Sequence, residues 1–181
     1  MRQVSERTEA ALQMVYSAFT QNGAPQSIVV CPCCVSADEL EVMTKSRLRE
    51  LSAEQLEHYL SAVFLTSGAQ EDFRYFLPRL LDLNARAKWD FESDWEILLG
   101  KLSLGEWQTW SEREREALTA FLQACFEDLV SAGMHGATRS MGFYADSREA
   151  ALISPIFWID CRNLTQTRPS SHSAMPTRHR S

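Results

Sequence analysis

Residues 111–133 read SEREREALTAFLQACFEDLVSAG, and this stretch decides the fold class. Ser111, with Glu114 three residues on, is a capping box: each side chain satisfies an orphan backbone N–H at a helix start. Ala117, Leu118, Phe121, Ala124, Cys125 and Leu129 then recur at helical spacing along one side, and Gly133 closes the segment. The alternating charges of EREREAL read as a solvated helix face.

The same signals recur outward along the chain. Ser36 and Glu39 form a second capping box in VSADELEVM, with Val35 and Leu40 at the positions of a hydrophobic staple. Ser52 and Gln55 form a third, with Leu51 and Leu56 as its staple. There Leu56, Tyr59, Leu60, Val63 and Phe64 make one apolar face, and Gly68 is the expected stop. Ser5 opens a helix that carries Ala11, Leu12, Val15, Tyr16, Ala18 and Phe19 and ends at Asn22-Gly23.

In EDFRYFLPRLLDLNARAKW, Asp72 is the expected cap. Pro78 predicts a kink near Leu77 or two short helices, since an interior proline costs about 3 kcal/mol. DFESDWEILLGKLSL places Phe91, Trp95, Leu98, Leu99 and Leu102 on one face, capped by Asp90 or Ser93. The segment NGAPQSIVVCPCC reads as a loop or one extended piece. After Gly133 the pattern weakens to one short helix capped by Asp146 with Glu149 and ended before Pro155. PIFWI beyond it is apolar and could pack back on the body.

The expected fold is therefore all-α: an irregular helical bundle or a short α-solenoid-like, HEAT-like array. Residues 1–160 make one helical domain, with a Cys-rich loop at 27–35. Residues 161–181 are polar and basic and read as a disordered tail. A shifted reading frame or a recently acquired end would account for that abrupt change.

Composition narrows the function classes. The chain has 181 residues, 45% of them hydrophobic and 23% charged, as a soluble globular protein does. Its net charge is −6, and four arginines without an acid fall after residue 161, so the acid excess sits in the body. An acidic body repels nucleic acid and anionic membrane. The N-terminus is charged and unlike a signal peptide, and no apolar run is long enough to span a bilayer. A cytoplasmic location follows as an expectation, and with it reduced thiols. Arginine outnumbers lysine 15 to 3, which suggests the base composition of a GC-rich bacterium.

The Cys-rich segment offers the sharpest chemistry. Cys31, Cys33 and Cys34, with His58 on a following helix, are the candidate zinc ligands. The spacing C-x-C-C lacks the usual second ligand pair, and adjacent Cys33 and Cys34 turn to one tetrahedral centre only in a strained loop. Cys31 and Cys34 also have C-x-x-C spacing before a helix, a redox arrangement, but without the surrounding βαβ pattern. The competing expectation is that these cysteines are small packing residues and that no cofactor binds.

Arg74, Tyr75 and Arg79, with Trp107 and Trp110, are the candidate interaction residues, since Arg, Tyr and Trp anchor interfaces. Against this, an internal Asp–Arg pair and tryptophans that fill gaps between helices explain the same residues. Catalysis finds little support: none of the nucleophile-elbow, phosphate-loop, dinucleotide or zincin motifs occurs, and His58 has no evident partner.

CPCC at 31–34, DFRYFLPRLL at 72–81 and Trp107-x-x-Trp110 before the capped helix resemble a group of uncharacterised bacterial helical proteins, over about residues 31–130. The resemblance implies no particular activity. The expected function is a non-catalytic protein-interaction or adaptor module, immunity-like, that binds another, basic protein. The alternative is a metal- or redox-linked protein using the cysteine cluster.

Overall fold

The computed structural model describes residues 4–31, 35–86 and 94–131. Six α-helices fill them: α1 (Glu6–Phe19), α2 (Ala37–Lys45), α3 (Ala53–Ala62), α4 (Gln70–Ala85), α5 (Asp94–Leu104) and α6 (Glu112–Ser131). Single 3-10 turns at Leu48–Glu50 and Trp107–Thr109 link them. No strand forms among the described residues, and the fold is all-α. No described helix is long and apolar enough to cross a membrane. The caps Asp90 and Ser93, the helix expected after Asp146, PIFWI and the tail from 161 lie outside the described residues.

The three capping boxes are formed as their residues dictate. The Ser36, Ser52 and Ser111 N–H groups donate to Glu39, Gln55 and Glu114 at 2.7, 2.7 and 3.1 Å. Each serine hydroxyl accepts the N3 N–H in return. Ser5 caps α1 by accepting from the Thr8 N–H at 3.1 Å. For α4 the cap differs from the expected one. Ala69 is the N-cap, and Asp72, at the third helical position, reaches back to its N–H at 3.0 Å.

α4 runs as one helix through Pro78, so of the two outcomes expected there, a kink near Leu77 or two short helices, the second is excluded. The reason is burial. Phe73, Phe76, Leu77, Leu80 and Leu81 are all fully buried around it. At about 2 kcal/mol each, that burial outweighs the roughly 3 kcal/mol an interior proline takes away. α3 differs too: it stops at Ala62, six residues before the glycine expected to end it.

The helices close into a bundle rather than a solenoid. α1 lies antiparallel along α6, the last described helix, and also packs on α4. In a solenoid each unit touches only its neighbours in sequence, so this first-to-last pairing excludes one. Polar links mark the seam at both ends. The Ser5 N–H and Thr8 hydroxyl donate to Asp128 at 2.9 and 2.8 Å. Arg113 donates to the Ser17 hydroxyl at 2.8 Å. Arg7 pairs with Glu127. Inside, the Phe19 and Phe73 rings both meet Trp110, with centroids 5.5 and 6.3 Å away, which ties α1 and α4 to the α5–α6 connection.

A second polar layer joins α1 to α4. Asp82, nearly buried, accepts from Arg79 at 2.8 Å and from Arg86 at 2.6 Å. Arg86 continues to Glu9 at 2.6 Å. The guanidinium of Arg49 sits 3.6 Å from the centre of the Tyr16 ring. Burial first, and Asp82 second, push the Tyr16 hydroxyl up to about 12.

Among the described residues, Tyr59 is left out of this polar pairing, as are the Ser67 hydroxyl and the Asn84 Nδ2. Tyr59 is fully buried against Phe76, and its hydroxyl has no hydrogen-bond partner among the described residues. Removing an unpaired buried hydroxyl removes only its desolvation penalty. Tyr59→Phe is therefore expected to leave the unfolding free energy unchanged or raise it by up to about 1 kcal/mol. Chemical denaturation measures this, and a clear loss would contradict it.

Candidate functional site

The sequence candidates occupy three different settings. Cys31 is half-buried, and its N–H donates to the Thr66 carbonyl at 3.1 Å. Cys33 and Cys34 lie outside the described residues. The His58 side chain is 68% exposed, and its Nδ1 lies 2.9 Å from Glu39 Oε1. His58 thus extends the capping box of α2 across to α3. The Ser36 N–H and hydroxyl, then His58, hold the Glu39 carboxyl down to about 2. Among the described residues, no three of the His, Cys, Asp and Glu side chains converge as a metal site would require.

The five interaction candidates lie in and against the core. Trp107 and Trp110 are buried, and Trp110 Nε1 donates to the Gly105 carbonyl at 3.0 Å. Arg74 lies 5.8 Å from the Trp110 ring and forks onto Glu114, with Nη2 at 2.7 Å from both carboxylate oxygens. Tyr75 is half-buried edge-on to Phe76, and burial pushes its hydroxyl up. Arg79 serves the α1–α4 layer and donates to the Leu51 carbonyl at 2.6 Å. The structure therefore brings Arg74 and Trp110 together but places both in helix packing.

Glu114 is a departure from the solvated face expected for EREREAL. Its side chain is 3% exposed. Burial pushes its carboxyl up, but hydrogen bonds from Arg74, Asn22 and Ser111 outweigh that and leave it below the ordinary carboxylate range. Lys101 is a second buried charge the periodicity does not reveal. Its ammonium donates to the Ser61 and Val63 carbonyls at 3.0 and 2.7 Å, and burial pushes it down. These carbonyls belong to the unsatisfied C-terminal end of α3, where a cation is favourable.

Lys101 also anchors the most unusual surface of the molecule. Three segments meet there: 28–31, 63–68 and 104–107. The first two pair as a short antiparallel bridge at Val30 and Ser67, where the Gly68 N–H donates to the Val29 carbonyl at 2.6 Å. Phe64 turns its ring toward the third: a Cβ on Gly105 would stand 3.0 Å from Phe64 Cζ, so any larger residue there would crowd the ring. The Gly105 carbonyl accepts from Gln70 at 2.7 Å as well as from Trp110, which fixes the third segment.

Backbone strain concentrates at this tip. Phe64 has φ 64° and Glu106 φ 50°, left-handed values that a bulky or charged residue adopts at a cost of about 1–3 kcal/mol. Both lie on the tip segments. So do three large apolar side chains left in solvent: Val29, Leu65 and Leu104, at 81%, 69% and 55% exposure. No periodicity predicts this surface. FLTSG reads as the continuation of α3, and only Gly68 and Gly105 hint at a turn. Nearby, α2 and α3 together carry Asp38, Glu39, Glu41, Glu54 and Glu57 against a single lysine, Lys45.

Comparison of the chain with protein-family models, with curated proteins and with solved structures found no match.

Proposed function

We propose that the chain is a non-catalytic protein-interaction or adaptor module of a bacterial cytoplasm that captures a basic partner, as an immunity protein does its toxin. The observation that carries this reading is the tip formed by 28–31, 63–68 and 104–107. It exposes Val29, Leu65 and Leu104 on backbone held in strained geometry by Lys101, Gln70 and Trp110. Exposed apolar anchors on a rigid support suit a docking site, because little ordering entropy is lost on binding. The net charge of −6 and the acidic α2–α3 pair supply attraction for a basic partner.

The test is capture from the native host on the immobilised chain, followed by affinity measurement with the identified partner. Leu65→Asp with Leu104→Asp is expected to weaken binding by about a hundredfold, as loss of a pair of apolar anchors should. Raised salt should slow association further. A partner that binds the variant as well as the parent chain sinks the proposal.

A metal- or redox-linked role for Cys31, Cys33 and Cys34 is the second reading. What favours it is the sequence spacing alone, three cysteines within four residues. Its signature is stoichiometric zinc in protein purified without added metal, lost in Cys31→Ser while the fold persists.

A further inference from the structure

We infer that the partner docks by adding an extended segment of its own, as one more strand, to the free edge at 28–31. The inference rests on the tip being a docking site and specifies the form of what docks there. In the bridge between Val30 and Ser67 the flanking residues make the hydrogen bonds. The Cys31 N–H donates to the Thr66 carbonyl at 3.1 Å, and the Gly68 N–H to the Val29 carbonyl at 2.6 Å. Val30 and Ser67 are therefore the non-hydrogen-bonded pair of an antiparallel ladder, and the N–H and C=O of Val30 point away from 63–68. Neither group has a partner among the described residues. By the two-residue period of a strand, the N–H and C=O of Ile28 lie on the same edge, and they too are unpaired among the described residues. The other edge of the bridge is closed. There the Ser67 N–H donates to the Ala62 carbonyl at 3.3 Å, and its C=O accepts from the Phe64 N–H at 3.0 Å.

Backbone donors and acceptors at strand spacing are matched by one chemistry, another extended backbone. The side chains agree with an edge strand: Ile28 is buried and Val30 half-buried, whereas Val29 between them is the most exposed of the three. An apolar residue of the added strand would stand beside Val29 as a cross-strand pair. Its basic residues would meet the acidic α2–α3 pair. The row of donors is short, since Pro32 has no N–H. The backbone bonds therefore orient the segment, and the exposed Leu65 and Leu104 add apolar contact beside it.

The probe is an acetylated and amidated Lys-Val-Lys-Val-Lys-Val peptide, titrated into the isotope-labelled full chain and followed by amide NMR. It is expected to shift the Val30 amide resonance and slow its exchange, with smaller effects in α1 and α6. The same peptide N-methylated at every residue keeps its side chains and charges but donates no backbone hydrogen bond. It should bind about tenfold more weakly or worse. Val30→Pro removes the chain's own donor and should weaken the unmodified peptide to a similar degree, whereas Val30→Thr keeps the N–H and should not. Thermal unfolding shows whether Val30→Pro folds, and the methylated peptide carries the test where it does not. A peptide that leaves Val30 unmoved overturns the inference, as does a methylated peptide that binds as well as the unmodified one. Failure of the docking site itself is a separate result: a peptide that pairs at Val30 supports the edge even where a native partner ignores Leu65→Asp with Leu104→Asp.

Discussion

Arg74→Met is expected to lower the unfolding free energy by about 3 kcal/mol, which for a chain of this size is a fall in Tm of about 10 °C. The substitution keeps an apolar stem of similar length and removes the guanidinium, whose carbon lies 5.8 Å from the centre of the Trp110 ring. Glu114, with a side chain 3% exposed, is then left as a buried carboxylate served only by Asn22 and Ser111. Breaking a buried pair from one side is worse than removing it whole. Arg74→Met combined with Glu114→Leu should therefore recover much of the loss, apart from the capping bond to Ser111. The pH dependence has a definite sign. Glu114 titrates below its unfolded value, so its stabilisation is complete above about pH 4.5 and fades as pH falls toward the folded value. Acid unfolding should be less steep in the double variant. Equal stability of parent and Arg74→Met would mean that Glu114 is not buried as a charge.

Lys101→Met is expected to cost about 2–3 kcal/mol and, beyond that, to loosen the tip. The methionine fills much of the same space, so the loss isolates the ammonium. Two carbonyls at the end of α3, those of Ser61 and Val63, lose a charged donor in a dry setting. Val63 directly precedes Phe64, whose left-handed backbone persists only while its surroundings over-determine it. Amide exchange across 63–68 should therefore accelerate more than exchange in α1 or α6. A uniform rise in exchange along the chain would instead mean that Lys101 supports the bundle generally and not this turn.

The two charged residues show where sequence and structure part. Ser36, Ser52 and Ser111 were legible because a capping box is complete within four residues. The buried face of α1 was legible because its buried positions, Ala11, Leu12, Val15, Tyr16, Ala18 and Phe19, follow one period. Glu114 was half legible: its role toward Ser111 is local, but its burial depends on Arg74 and Asn22, distant in sequence and brought in by other elements. The two-helix alternative at Pro78 fails for a related reason. The local penalty was right, but the burial that overrides it belongs to the whole bundle.

The tip was the least legible part. Phe64 continues the apolar face of α3 in sequence, yet the helix ends two residues earlier, with Lys101 of α5 on its terminal carbonyls. Val29, Leu65 and Leu104 come from three separate segments, so no window of sequence contains them together. The arginine and tryptophan candidates were chosen for residue type, and residue type alone does not separate an interface anchor from a core plug. Trp107 and Trp110 are placed in the core, as the gap-filling alternative anticipated.

The proposed function requires that a partner dock on the tip. Its most direct test is amide exchange of the chain with and without the partner captured from its native host. New protection is expected over 28–31, 63–68 and 104–107, with α1 and the N-terminal half of α6 unchanged. Protection confined to other elements, with the tip exchanging as it does alone, would contradict it.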